Sequence, residues 1–309
     1  MKKRYENLNN IKNIKSFTDM LKWTKERRSK IKDLTVNIEQ SPLKQIEKIK
    51  GNRNETSYTW IGHSTFLIQL KGLNILTDPV WAKRMGFQRR LTEPGIPLAD
   101  LPEIDVVVIS HGHYDHLDFP TLKKLQGNPH YFVPVGLKSL FLRKGYREVT
   151  EMRWWESAKI KGLTIDFVPA QHWTRRTLTD INTSHWGGFI FQGDKETLYF
   201  VGDTGYFSGF KEIGDLFEID TVFMPIGAYE PEWFMSDSHI NPEDSVKAFL
   251  ELKAKIFVPM HYGAYRLADD TGPEALKRLY REWEKRQLPE EQLQVLLLGE
   301  TALKTGVIL

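Results

Sequence analysis

Three histidines and two aspartates stand within "HGHYDHLD", residues 111–118, directly behind the apolar run Val106–Ile109. The chain contains no cysteine. Disulfides and thiolate zinc sites are therefore excluded, and a metal must be held by His, Asp or Glu. His111 and His113 are two residues apart. Just past a strand end alternate residues point the same way, so both rings can reach one metal. Gly112 lets the backbone bend tightly between them. Asp115 and His116 follow a turn later and can address a second metal. Two cations about 3.5–4 Å apart, sharing a bridging carboxylate, would use this density of ligands. Nitrogen and oxygen ligands suit zinc, with iron or manganese also compatible. The bland alternative is a polar loop rich in His and Asp.

What must position these residues is a repeated pattern, a strand that stops at a His or an Asp. "VVVIS" stops at His111, "FVPAQ" at His172, "LYFVG" at Asp203 and "IFVPM" at His261. Strand ends gathered at one edge of a sheet make a rigid rim for a site. "IDVVVIS" reads as a strand buried on both faces. "YTWIG", "TFLIQL", "LNILTD", "YFVPV", "GGFIFQG" and "DTVFMPIG" supply further strands. Helices are expected at 137–144, 210–217, 242–252 and 273–287. The third has Asn241 as cap, Pro242 in its first position and Glu243 and Asp244 in its first turn.

The chain has 309 residues, 40% hydrophobic and 27% charged, enough for a large core in one or two domains. Residues 1–54 carry 15 Lys+Arg against 6 Asp+Glu, whereas the remainder carries 28 against 34. We read 1–54 as a basic N-terminal extension and 55–309 as the catalytic domain. Such an arm binds nucleic acid or an anionic membrane, or is merely solvated. Ser16 and Asp19 form a capping-box pattern, followed by Phe17, Met20, Leu21 and Thr24 on one helix face. Residues 30–54 read as a poorly structured linker. No signal peptide and no 18-residue apolar window are present. The expected location is cytoplasmic, with peripheral contact on the inner membrane surface through the arm. A homodimer is compatible with the sequence.

"HGHYDH" matches the H-x-H-x-D-H signature, and "AQHW", "GDTGY" and "PMHYG" follow in the right context. The chain resembles the metallo-β-lactamase fold family over about residues 57–265. That resemblance implies an α/β fold, a four-layer αβ/βα sandwich with a dinuclear site at one edge. By the family pattern His111, His113 and His172 hold the first metal. Asp115, His116 and His261 hold the second, and Asp203 bridges. "WIGHSTF", "LTDPVW", "RWWES", "QHWTRRTL" and "GAYEPEWFM" followed by "SHINPEDSV" further resemble the N-acyl-phosphatidylethanolamine-hydrolysing phospholipase D branch. This implies two Zn2+ per chain, an anionic phospholipid substrate and hydrolysis to phosphatidate and an N-acylethanolamine. A net positive site suits a phosphodiester, and metals lower the pKa of bound water from about 15.7 to about 7.

In the resembled branch His239 faces the phosphate or the leaving group, joining Asp115 as a catalytic residue. Asp78, after a strand, is expected to hydrogen-bond a ligand histidine. His63 is expected beside the ligands rather than among them. Arg175 and Arg176 are candidates for phosphate. Trp173, Trp233 and Phe234, with Trp81, Phe87 and Met235, are aromatic candidates for an acyl-chain groove, against the ordinary expectation that large aromatics are core. His130 and His185 read as polar-loop residues.

Other hydrolases of this fold, acting on a lactone, a sugar-phosphate lactone or a small phosphodiester, are the alternative enzymes. The short gaps between ligands leave little room for a nucleic-acid-clamping insertion, so no nucleic acid is expected. A metal-dead binding protein is the remaining alternative. All seven ligands of the pattern are present, which argues against it.

Overall fold

A computed structural model describes residues 3–11, 13–35 and 38–303, with Asn9 described by its backbone alone. The outer ends of both expected regions, Met1–Lys2 and 304–309, lie outside these residues. Strands β1 (Ser57–Gly62), β2 (Thr65–Leu70) and β3 (Leu73–Thr77) form an antiparallel meander. A small hairpin of β4 (Arg84–Met85) and β5 (Gln88–Arg89) follows. Then β6 (Val106–Val108), β7 (His130–Pro134) and β8 (Val149–Met152) add in parallel. A second sheet contains β9 (Glu156–Ile160), β10 (Leu163–Val168), β11 (Gly188–Gln192), β12 (Thr197–Phe200), β13 (Thr221–Pro225) and β14 (Ile256–Met260). Finally β15 (Thr301–Leu303) pairs with β1.

Strand β6 is buried on both faces, and its side chains alternate between them with the period of a strand. Val106 and Val108 face the second sheet's Ile165, Phe167 and Phe189 in one core cluster. Val107 and Ile109 face the other way, onto helices α3 (Phe119–Leu122) and α4 (Lys138–Arg143). Helices α5 (Gly209–Leu216), α7 (Pro242–Leu252) and α8 (Gly272–Lys285) cover the far side of the second sheet. The result is the αβ/βα sandwich expected from the sequence. Strand direction explains its rim. β1, β3 and β6 run one way in the first sheet, and β10, β12, β13 and β14 run one way in the second. Their C-terminal ends gather at one edge.

The first 54 residues differ from the expected arm and linker. Helix α1 (Phe17–Ser29) has the expected capping box, with Ser16 and Asp19 bonding reciprocally. Residues 38–51 are packed structure. Ile38 and Ile49 are buried, Gln40 bridges to Leu298, and Ile49 sits on α2 (Ile46–Gly51). The apolar spacing of Ile38, Ile46 and Ile49 hides among polar residues, so the segment reads as linker although it supplies core.

Helix α1 docks by the face that borders its apolar stripe, Trp23 and Arg27 lying three and seven residues beyond Met20. Asp269 is fully buried and needs partners. It receives Trp23 Nε1 at 3.2 Å and Lys30 Nζ at 3.3 Å, with Arg27 Nε at 3.4 Å. Trp23 stacks on Phe234 in α6 (Glu232–Met235) at 4.9 Å. Phe17, Met20 and Leu21 remain in solvent, at 74%, 51% and 54% exposure. No helix among the described residues is long and apolar enough to cross a membrane.

Candidate metal centre

Every candidate ligand follows the C-terminal end of a strand on this rim. His111, His113, Asp115 and His116 follow β6, His172 follows β10, Asp203 follows β12 and His261 follows β14. Gly112 has an ordinary φ. Its small size matters because a Cβ there would lie 2.7 Å from Thr174 Oγ1. Close packing, rather than a tight bend, explains the glycine.

The rings form two groups. His111 Nε2 lies 2.9 Å from His113 Nδ1, and His172 Nε2 lies 3.2 Å from the same atom. His111 and His172 spend their protons elsewhere. Nδ1 of His172 donates to the Ser238 carbonyl at 2.9 Å. Nδ1 of His111 meets Ser110 Oγ at 2.9 Å, and that hydroxyl donates to Asp78 Oδ2 at 2.5 Å. Three inward nitrogens therefore share at most one proton. In the second group His116 Nε2 is 3.3 Å from Asp115 Oδ2, and His63 Nε2 is 3.1 Å from it. His261 Nε2 is 3.8 Å from the same oxygen. Asp203 stands between the groups. Its Oδ2 is 3.2 Å from His116 Nε2 and 3.9 Å from His172 Nε2, and its Oδ1 is 3.1 Å from His261 Nε2.

Among the described residues the buried atoms His116 Nε2, His261 Nε2 and Asp203 Oδ1 have no hydrogen-bond partner. Buried polar atoms are rarely left so. Crowded lone pairs aimed at common points fit cations, and the residues present fit a metal centre.

The charge environment differs across the centre. Burial and neighbouring imidazoles hold His111 well below the ordinary histidine pKa. Burial does the same to His172. On His116 burial is outweighed by Asp203, Asp115 and Asp78, which raise it. His261 is likewise raised, to about 9, by Asp203 and Asp115 against burial.

Asp78, expected behind a ligand, accepts from His116 Nδ1 at 2.6 Å and from Ser110 N at 2.7 Å. His63 lies closer than expected, within reach of the same cation as Asp115, His116 and His261. His63, Asp78 and His261 all have left-handed backbones, with φ of 57°, 35° and 61°. Each such residue costs on the order of 1–3 kcal/mol. The strand ends impose that geometry to aim these side chains. His239 is partly exposed, with Nδ1 3.8 Å from Asp203 Oδ2. Trp173 meets His113 edge-on at 4.7 Å.

The remaining candidates sit elsewhere. Arg175 is exposed. Arg176 turns inward, its Nη1 donating to the carbonyls of Gly112 at 2.8 Å and Leu117 at 3.0 Å, while its guanidinium covers Tyr114. It clasps the ligand loop from behind. Trp233 and Phe234 pack against α1, Trp233 donating to Glu26 at 3.0 Å. Met235 is buried, and Phe87 is almost wholly exposed on the small hairpin. His130 lies at the start of β7, against Thr150 Oγ1, and His185 is buried between Tyr5 and Trp154. His130 is thus a strand residue, and His185, on the irregular segment before β11, is buried by ring packing that a sequence does not display.

The Beta-lactamase superfamily domain matches residues 73–262, well over half of the chain. The chain belongs to the β-lactamase superfamily. This is a family of metal-dependent hydrolases, and the candidate ligands from His111 to His261 all lie within the matched residues. It is 41% identical over 226 residues to N-acyl-phosphatidylethanolamine-hydrolyzing phospholipase D 1 of Caenorhabditis elegans, covering 67% of this chain and 64% of that protein. It is 32% identical over 255 residues to the mitochondrial N-acyl-phosphatidylethanolamine-hydrolyzing phospholipase D of Saccharomyces cerevisiae, covering 77% of this chain and 54% of that protein. The chain thus spans less than two thirds of each relative. The solved structure of a metallo hydrolase from the archaeon Ignicoccus hospitalis shares the fold, with a TM-score of 0.63 and 24% identity over 81% of this chain and 98% of that one.

Two residues that support the site, Ser110 and Ser238, are not singled out by the sequence. Ser110 could have been found as the neighbour of His111. Ser238 acts through its carbonyl, which any residue offers.

Proposed function

We propose that the chain is a dizinc phosphodiesterase that hydrolyses N-acyl-phosphatidylethanolamine to phosphatidate and an N-acylethanolamine. The observation that carries this reading is Asp203, one buried carboxylate facing ligand nitrogens of both groups. His111, His113 and His172 would hold one ion, Asp115, His116 and His261 the other, with Asp203 between them. Two such ions, when bound, lower the pKa of water and neutralise phosphoryl oxygens. His239, at the open side of the centre, donates a hydrogen bond to the phosphate or to the leaving alkoxide. Arg175, exposed two residues beyond Trp173, offers a cation to the phosphate. The C. elegans and yeast relatives, both named N-acyl-phosphatidylethanolamine-hydrolyzing phospholipase D, support the same substrate.

The partner is an anionic bilayer, met by the exposed stripe Phe17, Met20 and Leu21 and the lysines around it. Each basic residue near such a surface contributes roughly 1 kcal/mol, screened by salt. Because Ile38 and Ile49 belong to the core, removal of the whole arm is not a clean test. Phe17→Glu with Leu21→Glu should reduce co-sedimentation with anionic vesicles while soluble short-chain turnover persists; unchanged sedimentation rejects the surface.

The reaction is tested by a panel of phosphodiesters and lactones in labelled water. Label in phosphatidate is expected. Label in the N-acylethanolamine hydroxyl, or turnover of lactones alone, refutes it.

A further inference from the structure

The superfamily match begins at residue 73, yet two side chains far upstream grip a ligand. Asn7 and Asn13 are buried, at 8% and 4% exposure. Asn7 Oδ1 accepts from the backbone N–H of His172 at 2.9 Å and from Trp186 Nε1 at 3.0 Å. Asn7 Nδ2 donates to Asn13 Oδ1 at 2.7 Å and to the Ile11 carbonyl at 3.1 Å. Asn13 Nδ2 donates to the His172 carbonyl at 3.3 Å and to the Asp237 carbonyl at 2.8 Å. The two amides thus hold His172 by its N–H and its carbonyl at once. They tie it to Asp237, whose neighbour Ser238 accepts from His172 Nδ1.

We propose that Asn7 and Asn13 are positioning residues of the metal centre, a clasp that fixes the backbone and hence the ring direction of His172. The proposal rests on the metal-centre reading above. An amide suits the position because it accepts and donates at once. His172 otherwise follows its strand on an irregular segment with no helix to stiffen it. Loss of either amide leaves buried backbone groups unpaired and lets the ring drift from His113.

A clasp and a mere tether for the arm make different demands. Lys15 also ties this segment down, but its ammonium donates to the Asp237 carboxylate at 2.6 Å rather than to the backbone of His172. The experiment compares Asn7→Ala, Asn13→Ala and Lys15→Ala in the full chain. Zinc affinity is read by chelator competition, and ligand geometry by the electronic spectrum of the cobalt-loaded protein. Expected for both asparagine variants is loss of one metal equivalent about tenfold more readily than wild type, the magnitude found for partners behind ligands. A changed cobalt spectrum is expected with it, and Lys15→Ala should match wild type in both readouts. If Asn7→Ala does not fold, Asn13→Ala, which removes a single amide with fewer partners, decides. Wild-type affinity and spectrum in the asparagine variants, at any melting temperature, overturn the clasp. Equal losses in all three variants also overturn it, in favour of a tether. A wild-type chain that binds no metal defeats the metal-centre reading instead.

Discussion

His172 and His261 are both solitary ligands beyond strands of the second sheet, yet they are held by opposite means. His172 has a partner for its N–H, its carbonyl and its Nδ1. Hydrogen bonds dictate where its remaining nitrogen points. His261 has no hydrogen-bond partner for either ring nitrogen among the described residues. Its direction comes from a left-handed backbone and from rings on either side, His63 at 4.2 Å and His239 at 5.5 Å. One ligand is aimed by hydrogen bonds to its backbone and ring, the other chiefly by backbone shape and ring packing, with one backbone bond to the His63 carbonyl at 3.1 Å. A polar substitution should loosen the first and a steric one the second.

Asp203→Asn tests both at once and should have the largest effect. A neutral amide is a poor bridge for two cations, so stoichiometry by metal analysis should fall, with turnover losses beyond the about 10–100-fold seen for partners behind ligands. Wild-type stoichiometry would remove the shared carboxylate from the account.

Gly227→Ala strikes the shape-held side alone. A Cβ there would lie 2.1 Å from the His261 carbonyl oxygen, so the left-handed turn must move. We expect a stability loss of about 1–3 kcal/mol in urea unfolding, together with loss of one metal equivalent. Retention of both ions would show that His261 is not held by its backbone.

Asp78→Asn addresses a third mode, the carboxylate behind His116. Metal affinity should fall about 10–100-fold in chelator competition, with the fold preserved by circular dichroism. Ser110→Ala should have the smallest effect. It removes the hydroxyl between His111 Nδ1 and Asp78, a bond of about 1 kcal/mol, and a loss of roughly fivefold in affinity is expected. If Ser110→Ala matched Asp78→Asn, the chief route from Asp78 would run through His111 rather than His116.

The same contrast explains what was legible in the sequence. His111, His113, Asp115 and His116 announce themselves because local spacing and a preceding β-branched strand are sequence properties. His172, Asp203 and His261 could be read from strands that stop at ligand-type residues. Asp78 was legible for the same reason. The supports of His172 were not, since a carbonyl has no residue identity and two asparagines near the N-terminus lie far from it in the chain. Arg176 was misleading. Its position after a ligand suggested phosphate, but three-dimensional proximity gives it the carbonyls of the ligand loop. On α1 the apolar periodicity grouped Phe17, Met20 and Leu21 on one face without saying what that face meets, whereas one buried carboxylate, Asp269, draws Trp23, Arg27 and Lys30 onto the domain. Periodicity shows that a helix has two faces, and only the partner decides which one docks.

The gathering of ligands at strand ends also sets an order of events during synthesis. The 111–116 loop leaves the ribosome with part of the ligand set, long before β14 and His261 exist. Domains generally fold as units once their chain is available. An ion bound at that stage would meet an incomplete set of ligands. Only when β14 joins the second sheet does His261 come beside Asp203, at 3.1 Å, and complete the set.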